Sequence, residues 1–381
     1  KNYKEAFQKA IRSLETGRYG LGHAKNYNTM TKEELQQLEI RCPSEEIKKQ
    51  VQANWDAVAK PLDGLGAFEA LTAKLGAALG TADFDLTKKA VIVMCADNGI
   101  VAEGVSQSGQ EVTAAVAASM GKQASSVGKM AKSIGADVFP VDIGINSTEK
   151  IDGVLDQKIR SGTRDFLMEP AMTEAETLAA IEVGMELVRR FKAEGYSLLA
   201  TGEMGIGNTT TSSAVAAALS GCAVEEITGR GAGLSDAGLL RKRQVIAEAL
   251  QKYDFGKNET FRILSTVGGL DIAGLAGVFI GGALYQIPVV LDGVISTVAA
   301  LVAERLVPGT RAYMIPSHKS KEPAAARMLE ELALAPVIDA SLALGEGTGA
   351  VMMFALLDMA MTLYETRTTF SDISVEQYVR F

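Results

Sequence analysis

The sequence has few of the residues that build disulfide or metal frameworks. Its 381 residues include three cysteines, two histidines and one tryptophan, and aromatic residues make up 6% of the chain. Cys42, Cys95 and Cys222 are odd in number and far apart, so they predict neither a disulfide framework nor a metal cluster. Scarce aromatic residues with abundant alanine and glycine favour tightly packed helices over an aromatic-rich sandwich. We expect no bound metal.

The chain also has no excess of positive charge, since acidic residues outnumber basic ones. The formal net charge of -8 disfavours nucleic acid or an anionic membrane face as a partner. The longest uncharged run, residues 272–291, is about long enough to span a membrane. It contains four glycines and Pro288, and Asp271 and Asp292 flank it, so we predict a buried helix and strand instead. No secretory signal is recognisable, and we expect a cytoplasmic location.

From residue 90 onward, short apolar runs alternate with helical stretches, and each run ends in polar, glycine-rich sequence. The runs cover residues 90–96, 138–141, 197–200, 289–291 and 311–315. This alternation predicts an α/β fold with parallel strands and helical crossovers. In such folds ligands bind beyond the carboxyl ends of the strands, which is where the polar segments lie.

The most informative segment is residues 345–350, G-E-G-T-G-A, in which three glycines surround the carboxylate of Glu346. It precedes the uncharged run 350–357, which we predict to be a buried helix. Glycines let a backbone approach a ligand closely, and a helix start offers amides that favour anions. A glutamate there is costly to desolvate, which favours a catalytic base beside an anion site. The alternative is a glutamate that interacts with the helix dipole.

A second glycine-rich segment, residues 201–211, follows the predicted strand at 197–200. The spacing from Gly202 to Gly207 resembles a P-loop, but Asn208 stands where a P-loop has lysine, which excludes a nucleoside triphosphate site. Backbone amides and threonine hydroxyls can still hold a monophosphate or a carboxylate. Glu203 is, after Glu346, the second carboxylate that lies among glycines. We favour a functional role for this segment, and the alternative is a structural turn.

Other polar segments are weaker signals. Asp97 and Asn98 follow the first predicted strand and form either a ligand loop or a simple turn. Three alternating glycines at residues 229–233 precede a helix with three consecutive basic residues, 241–243. One of these could neutralise a phosphate, or all could lie on a solvated face; the residues alone do not choose among them. His318 follows the strand at 311–315, and we interpret it as an oriented hydrogen-bond donor.

Taken together, these segments closely resemble the nicotinate-nucleotide–dimethylbenzimidazole phosphoribosyltransferase family. The resemblance runs from about residue 55 to residue 365, and residues 60–66 look like a drifted form of the family's K-P-x-G-S-L-G motif. The matching motifs, in the family's order, are A-D-N-G, E-G-V-S, Q-E-V-T, T-G-E-M-G-I-G-N-T-T, T-G-R-G-A-G-L, L-D-G, P-S-H-K-S and L-G-E-G-T-G-A.

The resemblance implies that an aromatic base displaces nicotinate from nicotinate mononucleotide, with inversion at the anomeric carbon. The products are an α-riboside 5′-phosphate and nicotinate. The pyridinium nitrogen already carries positive charge, so nicotinate needs no acid to leave, whereas the incoming base must lose a proton to a general base. By the family match Glu346 is that base and Glu203 assists across the site. No metal or redox cofactor is implied.

The resemblance also implies two groups of binding residues, and it is what selects Lys242 over its basic neighbours. The donor and its phosphate are assigned to Gly205, Gly207, Asn208, Thr209, Gly231, Lys242, Asp292, Ser320, Gly347 and Gly349. The acceptor base is assigned to Asp97, Asn98, Ser106, Gln110 and Leu344.

Two features of the acceptor loop depart from the family. Asn98 stands where the family has histidine, and Ser108-Gly109 replace a pair that ends in proline. The acceptor therefore stays open among 5,6-dimethylbenzimidazole, other benzimidazoles, adenine and phenols such as p-cresol. A non-catalytic partner subunit and a nucleotide sensor are the alternatives to an enzyme. Retention of both glutamates favours a catalytic subunit.

The implied architecture is a parallel-sheet, Rossmann-like large domain with a small helical domain built from both chain ends. We assign residues 86–349 to the α/β catalytic domain and residues 51–85 with about 350–381 to the small domain. Residues 1–50 form a polar, helical N-terminal extension outside the resemblance. Because family members form dimers, we expect a homodimer, with a heterodimer of paralogues as the alternative.

Overall fold

The computed structural model of the protein describes residues 30–256 and 258–380. Its centre is one six-stranded sheet in which every pair of neighbouring strands is parallel. The strands are β1 (Lys89–Ala96), β2 (Asp137–Gly144), β3 (Leu155–Asp156), β4 (Leu198–Met204), β5 (Val289–Leu291) and β6 (Met314–Pro316). The predicted α/β fold with a parallel sheet is confirmed.

Helices lie in the connections between successive strands except between β2 and β3, and such crossovers are what parallel pairing usually uses. In the described ranges the α-helices are α1 (Lys32–Gln36), α2 (Glu45–Ala57), α3 (Ala67–Leu79), α4 (Glu111–Gly121), α5 (Ser126–Ser133), α6 (Glu174–Ala193), α7 (Asn208–Ser220), α8 (Val224–Ile227), α9 (Asp236–Tyr253), α10 (Thr260–Val267), α11 (Leu270–Leu284), α12 (Val294–Leu306), α13 (Pro323–Leu332) and α14 (Thr348–Glu365).

The strand order β3-β2-β1-β4-β5-β6 reverses its winding between β1 and β4. In doubly wound sheets this switch point opens a crevice at the carboxyl ends, where ligands bind. The turn after β1 meets the turn after β4 there, since the amide of Asn98 donates to the carbonyl oxygen of Ile206 at 3.3 Å. Two of the predicted ligand segments thus lie side by side.

The sheet is buried on both faces. Ile92 and Met94 of β1 pack into a core formed with α6, α11 and α12, whereas Val91 and Val93 pack into a second core with α2, α3 and α14. Central parallel strands covered on both sides read as continuous apolar runs, which is why β1 was recognisable in the sequence.

The long uncharged run forms buried structure, as predicted. Helix α11 and strand β5 occupy it, and all but one residue of α11 is buried. Glycines let α11 lie very close to α6: a β-carbon on Gly184 would come within 2.1 Å of the carbonyl oxygen of Gly274. Within the described ranges, no helix is long and apolar enough to cross a membrane.

The segments on either side of the catalytic region touch each other. The rings of Trp55 in α2 and Tyr364 in α14 lie 5.3 Å apart, and Asn54 donates to the Tyr364 hydroxyl at 2.7 Å. Arg380 forms ion pairs with Asp56 and Asp63. The predicted domain boundaries stay a prediction. Residues 1–29 of the predicted N-terminal extension lie outside the described residues, whereas α1 and the start of α2 fall within the bounds of that extension.

Three strand predictions need correction, and one strand was missed. Strand β2 covers Asp137–Gly144 and so continues three residues beyond the predicted run 138–141. Residues Thr310–Tyr313 form a 3-10 turn, so β6 begins only at Met314; Gly309, with φ of 97°, starts that turn. Strand β4 continues to Met204, because residues 201–204 pair with β1. Strand β3 was missed, since it has two residues and pairs only with the edge of β2.

Candidate active site

Glu203 lies near the carboxyl end of β4, opposite Met94 of β1. Asn208, the first residue of α7, donates a hydrogen bond from Nδ2 to Glu203 Oε2. Burial, together with the neighbouring carboxyl groups of Asp271, Asp292 and Glu346, raises the pKa of Glu203 to about 8, and the hydrogen bond from Asn208 opposes this shift. Two of the predicted site residues, Glu203 and Asn208, are thus in direct contact, and several other carboxyl groups lie nearby.

Glu346 lies in a strained loop over β4. Gly345, Glu346 and Gly347 have φ values of 84°, 61° and 93° in succession, a conformation that a non-glycine residue rarely adopts. The carboxylate accepts a 3.3 Å hydrogen bond from the amide of Val127, in the first turn of α5. Burial raises the pKa of Glu346 and this bond opposes the shift. The backbone therefore presents a half-buried carboxylate, as a general base requires.

The Glu346 loop and Glu203 are neighbours. A β-carbon on Gly345 would lie 2.6 Å from Glu203 Oε1, and one on Gly202 would lie 2.4 Å from the carbonyl oxygen of Glu346. Glycine at both positions lets the loop rest on the strand end. The structure thus brings the two predicted catalytic residues together at the carboxyl edge of β4.

Asp292 anchors the same loop. Its carboxylate accepts hydrogen bonds from the amides of Gly347 at 3.1 Å, Gly349 at 2.8 Å and Ala350 at 3.1 Å. Asp292 therefore occupies the N-terminus of α14, where we predicted that the amides of Gly347 and Gly349 bind phosphate. In this structure those amides hold a carboxylate of the protein itself.

Lys242 is fully buried, unlike its basic neighbours. Its Nζ donates to Thr209 Oγ1 at 2.9 Å and to the carbonyl oxygen of Gly229 at 3.2 Å. Burial lowers the pKa of Lys242 to about 8. Arg241 instead pairs with Glu103. The solvated-face alternative is wrong for Lys242, whose position suits an anion at the start of α7.

Gly231 and Ser320, two further phosphate candidates, both bond to Glu322, whose charge acts on Lys242. Gly231, with φ of 55°, lies against Thr209, because a β-carbon there would come within 2.6 Å of Thr209 Oγ1. The amide of Gly231 donates to Glu322 Oε1 at 3.0 Å, and Ser320 Oγ accepts from the amide of Glu322 at 3.3 Å. Glu322, which sequence reasoning missed, thus places a carboxylate beside the predicted phosphate residues.

Gly205 and Gly207 shape the turn between β4 and α7. A β-carbon on Gly205 would lie 2.2 Å from the carbonyl oxygen of Ala96, so only glycine lets this turn cross the end of β1. Gly207 has φ of 94° and starts α7. The turn therefore directs Asn208 and Thr209 toward the crevice.

Three of the predicted acceptor residues lie together. Gln110 Nε2 donates to the carbonyl oxygen of Asn98 at 3.2 Å, and Gln110 Oε1 accepts from Asn146 Nδ2 at 2.9 Å. Asp97 Oδ2 accepts from the amide of Asn146 at 2.7 Å, and burial raises the pKa of Asp97. Asn146, which sequence reasoning missed, ties the loop after β2 to the turn after β1.

The other two acceptor candidates are less closely placed. Ser106 Oγ accepts from the amide of Ser108 within its own turn, and the Leu344 side chain is 56% exposed. An open cleft of about 510 Å³ lies beside Gln110, and neither Glu203 nor Glu346 lines it. The cleft is lined by Gly99, Val101, Ala102, Gln110, Glu111, Asn146, Ser161, Gly162 and Thr163.

His318 packs against the loop of Glu346. Its Nδ1 lies 2.9 Å from Ser317 Oγ, and a β-carbon on Gly349 would come within 2.1 Å of that nitrogen. Burial lowers the pKa of His318, and the nearby Asp292 carboxylate opposes the shift. A neutral, oriented ring fits the hydrogen-bonding role that we predicted.

Asp271 was also missed as a site residue. It lies in the first turn of α11, is fully buried and faces Glu203. The available signal was the pair Gly268-Gly269 followed by a lone acid at the start of a long uncharged run. We used that acid only to exclude a membrane span.

The phosphoribosyltransferase family model DBI_PRT matches residues 40–375. The nicotinate-nucleotide–dimethylbenzimidazole phosphoribosyltransferase of Clostridium acetobutylicum is 42% identical over 332 residues, which cover 87% of this chain and 94% of the relative. The chain belongs to this family. The family resemblance drawn from the sequence motifs is therefore confirmed.

Further members of the nicotinate-nucleotide–dimethylbenzimidazole phosphoribosyltransferase family agree in sequence and fold. The relative from Acetivibrio thermocellus is 42% identical over 328 residues, or 86% of this chain and 93% of its own. The crystal structure of CobT from Thermus thermophilus superposes with a TM-score of 0.82 at 37% identity. The match covers 87% of this chain and all of that one.

Proposed function

We propose that the protein transfers the ribose 5-phosphate of nicotinate mononucleotide to an aromatic lower-ligand base, 5,6-dimethylbenzimidazole or a related compound. The reaction inverts the anomeric carbon and yields an α-riboside 5′-phosphate and nicotinate. One observation carries the proposal. Two consecutive residues at the start of α7 face opposite charges: Asn208 bonds the Glu203 carboxyl, and Thr209 accepts from the Lys242 ammonium.

This charge pattern suits the donor. Nicotinate mononucleotide carries a cationic pyridinium ring on its sugar and an anionic phosphate at the other end. Lys242, with the amides at the start of α7, offers charge and donors for the phosphate. The neighbouring carboxyl groups of Glu203, Asp292 and Glu346 favour the cationic sugar and ring. Glu322 and Asp292 already hold the amides of Gly231, Gly347 and Gly349, so we assign the phosphate first to Lys242, Thr209 and Ser320.

Glu346 is the proposed general base. A proton leaves the acceptor nitrogen as it attacks, and burial brings the Glu346 pKa closer to neutrality, where a base works best. Glu203 lies across the strand end. Its raised pKa keeps it largely protonated in the free site, and the cationic donor favours loss of that proton, so that the carboxylate stabilises the oxocarbenium-like sugar. Nicotinate leaves as a neutral pyridine nitrogen, so the site needs no acid for that step.

The acceptor pocket is proposed to lie at the turn that carries Asn98 and Gln110. Dimethylbenzimidazole heads the proposal because the relatives carry that name. Adenine and p-cresol are the alternatives, since Asn98 replaces the family's histidine. A phenol, with a pKa of about 10, makes deprotonation by Glu346 more demanding.

Assembly and location complete the proposal. We infer a homodimer, with a heterodimer of paralogues as the alternative, and a cytoplasmic location. Light scattering on the purified protein measures the first, and cell fractionation measures the second.

A chromatographic assay with a panel of bases tests the function. Purified protein is incubated with nicotinate mononucleotide and 5,6-dimethylbenzimidazole, benzimidazole, adenine, phenol or p-cresol. We expect nicotinate release together with a new riboside phosphate, fastest with a benzimidazole. If no product formed although the donor bound, a missing partner subunit would be favoured. If no product formed and the donor did not bind, the proposal would be refuted.

A further inference from the structure

Asp271 is a buried carboxyl group that the proposed reaction leaves without a role. It is fully buried at the start of α11, and its Oδ1 accepts the amide of Ile272 at 2.9 Å. Its Oδ2 makes no hydrogen bond to the part of the chain that the structure describes. A buried carboxyl with an unused oxygen is costly to the fold, which favours a function for it.

Three predicted site residues surround Asp271. Burial raises the pKa of Asp271 to about 6, and the side chains of Asn98 and Asn208 lie close enough to oppose that shift. A β-carbon on Gly269 would come within 2.4 Å of Asp271 Oδ1 and 2.5 Å of Asn98 Oδ1, so the two oxygens face the same small space. Asn208 also donates to Glu203. Asp271 therefore lies between the acceptor turn and the donor side.

We propose that Asp271 is a positioning residue, which acts through Asn208 on Glu203 and through Asn98 on the acceptor turn. One buried carboxylate thereby fixes the donor and acceptor sides relative to each other. The inference rests on the proposed function. Asp271 does not touch substrate, because it is buried behind the turn at residues 205–207: a β-carbon on Gly205 would lie 3.0 Å from its Oδ2.

The charge of Asp271 gives its role a measurable signature. Among the charged neighbours that raise the Glu203 pKa, Asp271 acts most strongly, ahead of Asp292 and Glu346. Removing that charge lowers the Glu203 pKa. A loosened site would lower it as well by admitting water, because burial is the largest cause of the shift, so a variant that keeps the charge is needed to separate the two effects. The titratable groups around this pair are Asp292 after β5, His318 beside it, Glu346 in its loop and Cys95 in β1, whose thiol pKa burial raises.

The test compares Asp271→Asn, which removes the charge at constant size, with Asp271→Glu, which keeps it. Glu69→Gln serves as the control, because Glu69 is also a buried acid with an unbonded Oε2, in α3. For each variant the kcat and the donor KM are measured against pH, calorimetry with nicotinate mononucleotide counts competent sites, and carbon-13 NMR follows the Glu203 carboxyl.

We expect Asp271→Asn to lower kcat per competent site by roughly 10- to 100-fold, as small misplacements of reacting groups do. In Asp271→Asn we also expect the carbon-13 titration of the Glu203 carboxyl, and the acidic limb of the kcat/KM profile, to shift to lower pH. Asp271→Glu retains that limb, and Glu69→Gln lowers only stability. If Asp271→Asn left both kcat and the acidic limb of the kcat/KM profile unchanged, the positioning role of Asp271 would be overturned, and the proposed function would stand. An inactive wild-type protein would instead refute the proposed function, and the Glu203 titration would still decide the coupling to Asp271.

Discussion

The backbone of Glu346 rests directly on Gly202 of the central strand β4. A β-carbon on Gly202 would lie 2.4 Å from the carbonyl oxygen of Glu346 and 3.0 Å from the amide nitrogen of Gly347. Real β-carbons essentially never come so close to backbone atoms, so the strand and the loop fit only with glycine at this position. The proposed base is thus placed by the sheet as well as by its own loop.

Gly202→Ala is expected to displace the Glu346 loop. Because the clash is with backbone, the loop must move, and we expect kcat to fall by about 100-fold with a smaller change in donor KM. Gly256→Ala is the matched control, since its new methyl group would meet only ordinary contacts at 3.4 Å or more. Steady-state kinetics checks the pair, and equal kcat values in the two variants would contradict this placement.

Glu346→Ala is expected to abolish most of the turnover and to leave binding of the donor almost unchanged. Loss of a general base costs roughly 100- to 10,000-fold in rate. Binding of nicotinate mononucleotide, measured by calorimetry, should change little, because Glu346 acts on the acceptor. Glu346→Gln tests charge at constant size. Equal loss of donor affinity and turnover would show that Glu346 binds the donor.

Lys242→Met is expected to weaken binding of the donor, nicotinate mononucleotide, and to leave the fold intact. Losing a charged contact to phosphate costs about 1.5–3 kcal/mol, or roughly a 10- to 100-fold higher KM. The fold should tolerate the change, since a buried ammonium bonded to two neutral oxygens is replaced by an apolar chain of similar length. Lys252→Met, an exposed lysine of α9 bonded to two carbonyls, is the control. An unchanged KM in Lys242→Met would remove Lys242 from the phosphate site.

The free energy of unfolding should depend on pH through Glu203. Its pKa is about 8 in the folded protein against an ordinary value of 4.5, so the folded state holds a proton that the unfolded state has lost between these values. Stability from this group is therefore present below pH 4.5 and is lost as the pH rises toward 8. Glu203→Gln should lack this loss. Urea unfolding at several pH values measures it, and parallel profiles for the two proteins would contradict the shifted pKa.

Asn98→His tests whether the turn after β1 selects the acceptor. The substitution restores the family's residue at a fully buried position that contacts Gln110. We expect relative rates to shift toward 5,6-dimethylbenzimidazole within the base panel, by about the 10-fold that one hydrogen bond provides. Identical relative rates in both proteins would remove Asn98 from the specificity argument.

Much of the fold was predictable because central parallel strands carry a strong local signal. Residues 90–96 form an uninterrupted apolar run that matches β1 closely. Strand β3 gave no such signal, since its two residues are held only by pairing with β2. The end of β4 was hidden for a related reason. Gly202 and Glu203 resemble loop residues locally, but pairing with β1 keeps them in the sheet.

The candidate site was predictable where glycine marks close backbone approach, as at residues 202–207 and 345–349. It was not predictable where a residue acts through distant partners. Glu322 bonds Gly231 across 91 positions of sequence, and Asp271 is brought beside Asn98 only by the tertiary fold. The occupation of the Gly347 and Gly349 amides by Asp292 likewise depends on the strand order.

The most direct test of phosphoribosyl transfer by this chain follows both products in one sample. Wild-type protein receives nicotinate mononucleotide with the best base of the panel, and chromatography quantifies nicotinate and riboside phosphate over time. We expect that both products rise together in equal amounts, that neither forms without the base, and that Glu346→Ala suppresses both. Nicotinate released with free ribose 5-phosphate would indicate a hydrolase, and no release of nicotinate from bound donor would contradict transfer by this chain.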